Sequence, residues 1–148
     1  MSRTIFLVVA LLAGALLPIQ AALNSKMGKS INNPIAAAFI SFAVGTLALF
    51  FYLLITRQAF HFSTAYKQAP WYAWFAGILG TFYVVASIII LPRLGVALAF
   101  SLVVFGQLLI SLLMDHFGLL GVEIRTINFY RILGVLFLIA GVILIRKF

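Results

Sequence analysis

The chain has 148 residues, of which 66% are hydrophobic and 8% charged, and its mean hydropathy is +1.26. No water-soluble domain of this length hides so much apolar surface in one core, so a soluble globular fold is excluded. The net charge of +8 would suggest nucleic acid in a soluble protein. Here the cations stand singly between apolar runs, where anionic lipid headgroups meet them, and nucleic acid is not an expected partner.

About 20 apolar residues cross roughly 30 Å of hydrocarbon. That rule predicts five spans at about 4–23, 34–56, 72–91, 96–115 and 129–146. The longest connections, about 57–71 and 116–128, are too short to fold alone. The expectation is an all-α membrane protein, a single transmembrane domain over residues 1–148 with the lipid bilayer around it.

In the first span Arg3 precedes an apolar run, as in a secretory signal, but the small pair Ala13 and Ala15 lies inside that run and four spans follow. It is read as a retained helix. Its end places Gln20 and Asn24 on one face, and Pro18 removes the hydrogen bond to the Gly14 carbonyl. A kinked helix with freed backbone groups is a common wall for a substrate cavity; the competing reading is a plain helix end dissolving into the headgroups.

Asn33-Pro34 opens the second span as a cap followed by proline at the first helical position. Ala37, Ser41 and Gly45 in that span, and Gly77, Gly80 and Thr81 in the third, form small-residue packing faces. Trp71, Tyr72 and Trp74 fall where an aromatic belt lies. Tyr83 and Ser87, one turn apart, either add hydroxyls to a cavity or bond to their own helix. Pro92-Arg93-Leu94-Gly95 reads as a tight reversal.

Gln107, Ser111 and Asp115 advance by four along the fourth span and share one face, drifting by about 40° per step. Hydrocarbon cannot satisfy them, so that face looks into the bundle or a cavity. Asp115 sits at a helix C-terminus and Arg131 in the first turn of the next helix, ends at which the macrodipole disfavours each charge. Pairing the two relieves both penalties, with Gly118 ending the fourth helix, Asn128 capping the fifth, and Arg125 as a competing partner. His116 is expected at the headgroup interface rather than as a proton carrier. In the fifth span Gly134 and Gly141 lie one heptad apart and form a candidate dimer contact, with an intramolecular groove as the alternative.

Five spans put the termini on opposite sides. Arg3, Arg57, Lys67, Arg125 and Arg131 then fall on one side, and Lys26, Lys29, Arg93, Arg146 and Lys147 on the other. An even tally leaves the positive-inside rule nothing to act on, which predicts insertion in both orientations. The expected partner is a second, inverted copy in an antiparallel homodimer, the pair that larger transporters encode as inverted repeats. The alternatives are that sorting by five spans is wrong by one, or that a heteromeric partner or lipid fixes the orientation. In an inverted pair, Gln20 and Asn24 of one copy share a membrane side with Asp115 of the other.

The candidate substrate-binding residues are therefore Gln20, Asn24, Tyr83, Ser87, Gln107, Ser111 and Asp115. Amides and hydroxyls suit a polar, neutral or zwitterionic solute. No acid lies at mid-span for a proton and a cation to contest. Hydrolase triads, metal clusters and nucleotide motifs are missing from the sequence, and there is no cysteine, so no enzyme, metal or cofactor is expected. A secondary transporter fits best; a dual-topology ion channel or a non-transporting membrane subunit are the alternatives.

Pro18-x-Gln20 with Asn24, Asn33-Pro34, Ser41 with Gly45, Gly77 and Gly80, Pro92-x-x-Gly95, Gly106-Gln107, Ser111, Asp115-x-x-Gly118 and Arg131-x-x-Gly134 together resemble the YdcZ-like family of small five-helix membrane proteins. The resemblance covers nearly the whole chain. It implies membership of the drug/metabolite transporter superfamily and a bacterial inner-membrane dimer, in dual topology or as paired or fused opposite-facing halves. The glycine heptad of the fifth span also resembles the dimerising helix of the small multidrug resistance proteins. Their first-helix glutamate is absent here, which argues against antiport of polyaromatic cations with protons.

Overall fold

A computed structural model describes residues 3–58 and 61–148. In chain order it contains α1 (Arg3–Ser30), α2 (Pro34–Ile55), α3 (Phe62–Gln68), a 3-10 segment (Trp71–Phe75), α4 (Ala76–Leu94), α5 (Val96–Phe117), a 3-10 turn (Leu119–Gly121) and α6 (Phe129–Lys147). Five stretches are long and apolar enough to cross a membrane: α1, α2, Trp71–Leu94, α5 and α6. The five expected spans are these five.

Hydropathy misplaced some ends. α1 passes through Pro18 without a break and continues to Ser30 instead of stopping near residue 23. Its last turns are polar, but Asn24, Ser25 and Gly28 are buried there, and Lys29 in the final turn suits the negative end of the helix dipole. The reading of Gln20–Asn24 as a fraying helix end is therefore overturned. The connection 57–71, of which Ala59 and Phe60 lie outside the described residues, carries the short helix α3, and Trp71, Tyr72 and Trp74 sit in the 3-10 segment. The four-residue reversal expected at 92–95 shrinks to one residue. α4 runs through Pro92 to Leu94, and Gly95, at φ +77°, is the lone residue outside both helices.

The chain groups into two compact units that meet at Arg93 and Leu94. In the first, α1 and α2 form an antiparallel hairpin closed by Ile31–Asn33. The Asn33 N–H donates to the Gly28 carbonyl (3.0 Å), and Asn33 Oδ1 accepts from the Ile35 and Ala36 N–H groups (3.1 and 3.0 Å). The expected cap and N1 proline are both in place. The side chains of α4 pack on this hairpin, where Val84 and Ile88 meet Ala37 and Ala38, with Met27, Tyr83 and Val85 around them.

Close approach falls at a glycine the sequence reading passed over. A Cβ added to Gly28 would lie 3.0 Å from Ile88 Cγ2 and 3.6 Å from Ala37 Cβ. Of the expected packing faces, Ala37 is fully buried, but Gly45 and Gly77 face open space and Gly80 meets only the Phe42 ring edge at 3.8 Å. The helices are tight near Gly28 and leave hollows near Gly45 and Gly80. Large side chains such as Leu11, Phe39 and Phe82 are about three-quarters exposed (74, 73 and 76%). Lipid is as apolar as they are, so burying them gains little, and small residues decide where helices touch.

The second unit is the α5–α6 hairpin, and its connection is tied back onto α5. Gly118, at φ +62°, ends α5 in the left-handed conformation, as expected. The Arg125 N–H donates to the Asp115 carbonyl (2.8 Å) and the Ile127 N–H to His116 Nδ1 (3.2 Å). Asn128 caps α6 by accepting from the Arg131 N–H (2.9 Å).

Candidate functional site

Hydroxyls and amides behave differently on a helix in apolar surroundings. A Ser or Thr hydroxyl is short enough to donate to a carbonyl one turn back, and so satisfies itself. Ser87 does this to the Tyr83 carbonyl (2.8 Å), Ser111 to Gln107 (2.7 Å) and Thr81 to Gly77 (2.9 Å). A tyrosine hydroxyl is held too far from its own backbone for that. Among the described residues, the buried side-chain polar atoms without a partner are Asn24 Nδ2 and Tyr83 Oη.

These two atoms belong to one place. Gln20, Asn24, Tyr83 and Ser87, with Leu17, Ala21 and Val84, line a void of about 10 Å³ in the first unit. It adjoins two larger hollows. One, about 480 Å³, lies along α1 and α2 and includes Gln20, Asn24, Met27, Ser41 and Val44; the other, about 410 Å³, includes Gln20, Ser41, Gly45, Thr46, Gly80 and Tyr83. Gln20 lines all three. Four of the seven expected substrate-binding residues thus converge from α1 and α4.

The remaining three lie in the second unit and are differently placed. Asp115 accepts from Arg131 Nη1 (3.2 Å), with their side chains 36% and 26% exposed respectively. The same Arg131 nitrogen donates to the Arg125 carbonyl (2.9 Å). The pairing inferred from the two helix dipoles is therefore present. Its competitor Arg125 pairs with Glu123 instead, at 2.8 Å. That exposed guanidinium, by hydrogen bond first and charge second, holds the Glu123 carboxyl below its ordinary value, and the carboxylate in turn raises Arg125. Asp115, Arg131 and Ser111 line a hollow of about 380 Å³ with Leu108, Leu112 and Gly134. Gln107 is exposed on α5 and outside that lining. Neither Gly134 nor Gly141 has an atom of the described residues within 4 Å of where a Cβ would stand, apart from its own neighbours and helix backbone.

Sequence reasoning passed over Gly28 and Thr46 and read Ser41 as a packing residue alone. Gly28 had a readable signal, since Ala21, Ser25 and Gly28 form a row of small residues at helical spacing. Thr46 carried none, because its place depends on how α2 meets α4.

Helices that turn large apolar side chains outward and enclose amide and hydroxyl groups in open hollows define a polytopic membrane protein with polar interior sites. The chain belongs to the YdcZ family: the family model described as "Putative inner membrane exporter, YdcZ" matches residues 5–144. It is also 28% identical to the inner membrane protein YdcZ of Escherichia coli (strain K12) over 148 residues, which are 99% of this chain and 98% of that protein. No solved structure matches the chain. The family expected from the motifs is the one found, and the chain is a multi-pass inner membrane protein.

Proposed function

We propose that this member of the family exports a small solute as a secondary transporter of the drug/metabolite superfamily, holding it in the first-unit hollows at Gln20, Asn24, Tyr83 and Ser87. The observation that carries this reading is the pair of buried, unpartnered polar atoms, Asn24 Nδ2 and Tyr83 Oη, beside space for a ligand. An unpaired buried polar group costs about 1–3 kcal/mol, so each of these atoms calls for a partner, which a ligand or an ordered water supplies. The working form in this proposal is an antiparallel pair of copies that exposes its site to each side in turn. Two observations favour it: the even distribution of cations, and the exposure of Gln107, an amide that lipid cannot satisfy and a second copy can. Asp115, already engaged by Arg131, is assigned a structural part.

Inside-out vesicles carrying the chain with a topology reporter on Phe148 test both halves of the proposal. Soluble metabolite extract is supplied outside, and the vesicle contents are read by mass spectrometry. The expected result is at least one solute concentrated by the wild type and lost with Tyr83→Phe, with reporter signal on both membrane faces. Accumulation unaltered by Tyr83→Phe and Asn24→Leu would remove the site assignment, and a one-sided reporter would remove the inverted pair.

A further inference from the structure

We infer that the first-unit hollows take an organic anion, a carboxylate carried on a small apolar body; this rests on the site reading above and names its ligand class. The unpartnered buried atoms of the lining are of one kind. Asn24 Nδ2 and Tyr83 Oη are hydrogen-bond donors with nothing to donate to. Ser87 already donates its hydroxyl hydrogen bond to the Tyr83 carbonyl. The buried groups that want a partner both donate, and a carboxylate is an acceptor at every lone pair.

The charge balance points the same way. Residues 1–93 contain no Asp or Glu, but they contain Arg3, Lys26, Lys29, Arg57, Lys67 and Arg93. Lys26 and Lys29 bracket Gly28, and Arg93 lies a little over one turn beyond Ile88, which touches Gly28. Three exposed cations therefore stand toward the C-terminal ends of α1 and α4, and no carboxylate of the unit offsets them. A cation in these hollows would give up its hydration for amide oxygens alone, which is costly in a low-dielectric site. An anion gains the donors and the positive field together. The hollow of about 480 Å³ beside Asn24, walled by Leu16, Leu17, Leu23 and Met27, is the size of a small-molecule site and fits an apolar body, and Tyr83 opens on the adjoining hollow of about 410 Å³.

Three probes of one shape decide it: phenylacetate, phenylacetamide and 2-phenylethylamine, each added to the purified full chain in neutral detergent. Melting temperature is followed through Trp71 and Trp74 fluorescence, because a ligand that binds only the folded state raises it. Phenylacetate is expected to raise the midpoint, the amide to raise it less and the amine to leave it unchanged. Tyr83→Phe, which keeps ring and fold, is expected to weaken the phenylacetate response at least tenfold, and Asn24→Leu to do the same. No response to phenylacetate overturns the proposal. A response to the amine that Tyr83→Phe removes keeps the site and overturns the anion. A phenylacetate response untouched by both substitutions puts the ligand elsewhere and overturns both.

Discussion

The two units treat their polar groups in opposite ways. In the α5–α6 hairpin nearly every polar group named here is matched: Asp115 with Arg131, Glu123 with Arg125, His116 with the Ile127 N–H, Asn128 with the Arg131 N–H, and Ser111 with its own helix. In the α1–α2–α4 unit, Asn24 and Tyr83 are buried with bonding capacity to spare. A carboxylate near a membrane span is the residue chemistry singles out first, yet here it is among the best satisfied. In the proposed reading, what distinguishes a site from a strut is incomplete bonding next to open space, which Asn24 and Tyr83 have and Asp115 lacks.

Substitutions in each unit sharpen this contrast. The largest expected effect is Gly28→Val, which forces side-chain atoms into the 3.0 Å gap to Ile88 and the 3.6 Å gap to Ala37. Overpacking of this kind costs about 1–3 kcal/mol, so the melting temperature in detergent should fall by several degrees and solute accumulation with it. Asp115→Asn comes next, removing a partly exposed ion pair at a cost of about 1 kcal/mol. A double-mutant cycle with Arg131→Gln should show coupling, while flux per folded molecule stays at the wild-type level. Loss of flux at unchanged stability would return Asp115 to the transport machinery and erase the contrast.

The smallest effect is a pH effect at Glu123. Its folded carboxyl titrates below its unfolded value because of Arg125. The contribution is therefore complete above the unfolded value and disappears as pH falls through the folded one. Both side chains are exposed, so the change should be a slight rise in hydrogen exchange at residues 122–126 under acid, abolished by Glu123→Gln.

Much of this was legible in the sequence because membranes impose simple rules. Five apolar runs became five spans, and opposed helix dipoles told which cation Asp115 would take. Gly118 and Asn128 marked the ends where backbone groups need a cap or a left-handed residue. The end of α1 was misread because hydropathy reports what the bilayer tolerates, whereas a helix ends where its backbone bonding ends. Lys26 and Lys29 look like a loop, and in fact they lie within the closing turns of a helix whose inner face is packed. Gln20 with Asn24 was visible as a pair at helical spacing, and so was Tyr83 with Ser87. That the pairs meet depends on Gly28 admitting Ile88, a contact between residues sixty apart that no local pattern encodes.

The hairpin connection has a mechanical consequence. Bonds from Arg125 and Ile127 to the last turn of α5, with Ile124 lodged against Gly118, make residues 118–128 a clasp instead of a tether. A clasped pair of helices does not hinge at its closed end, so α5 and α6 are held there as one stiff hairpin.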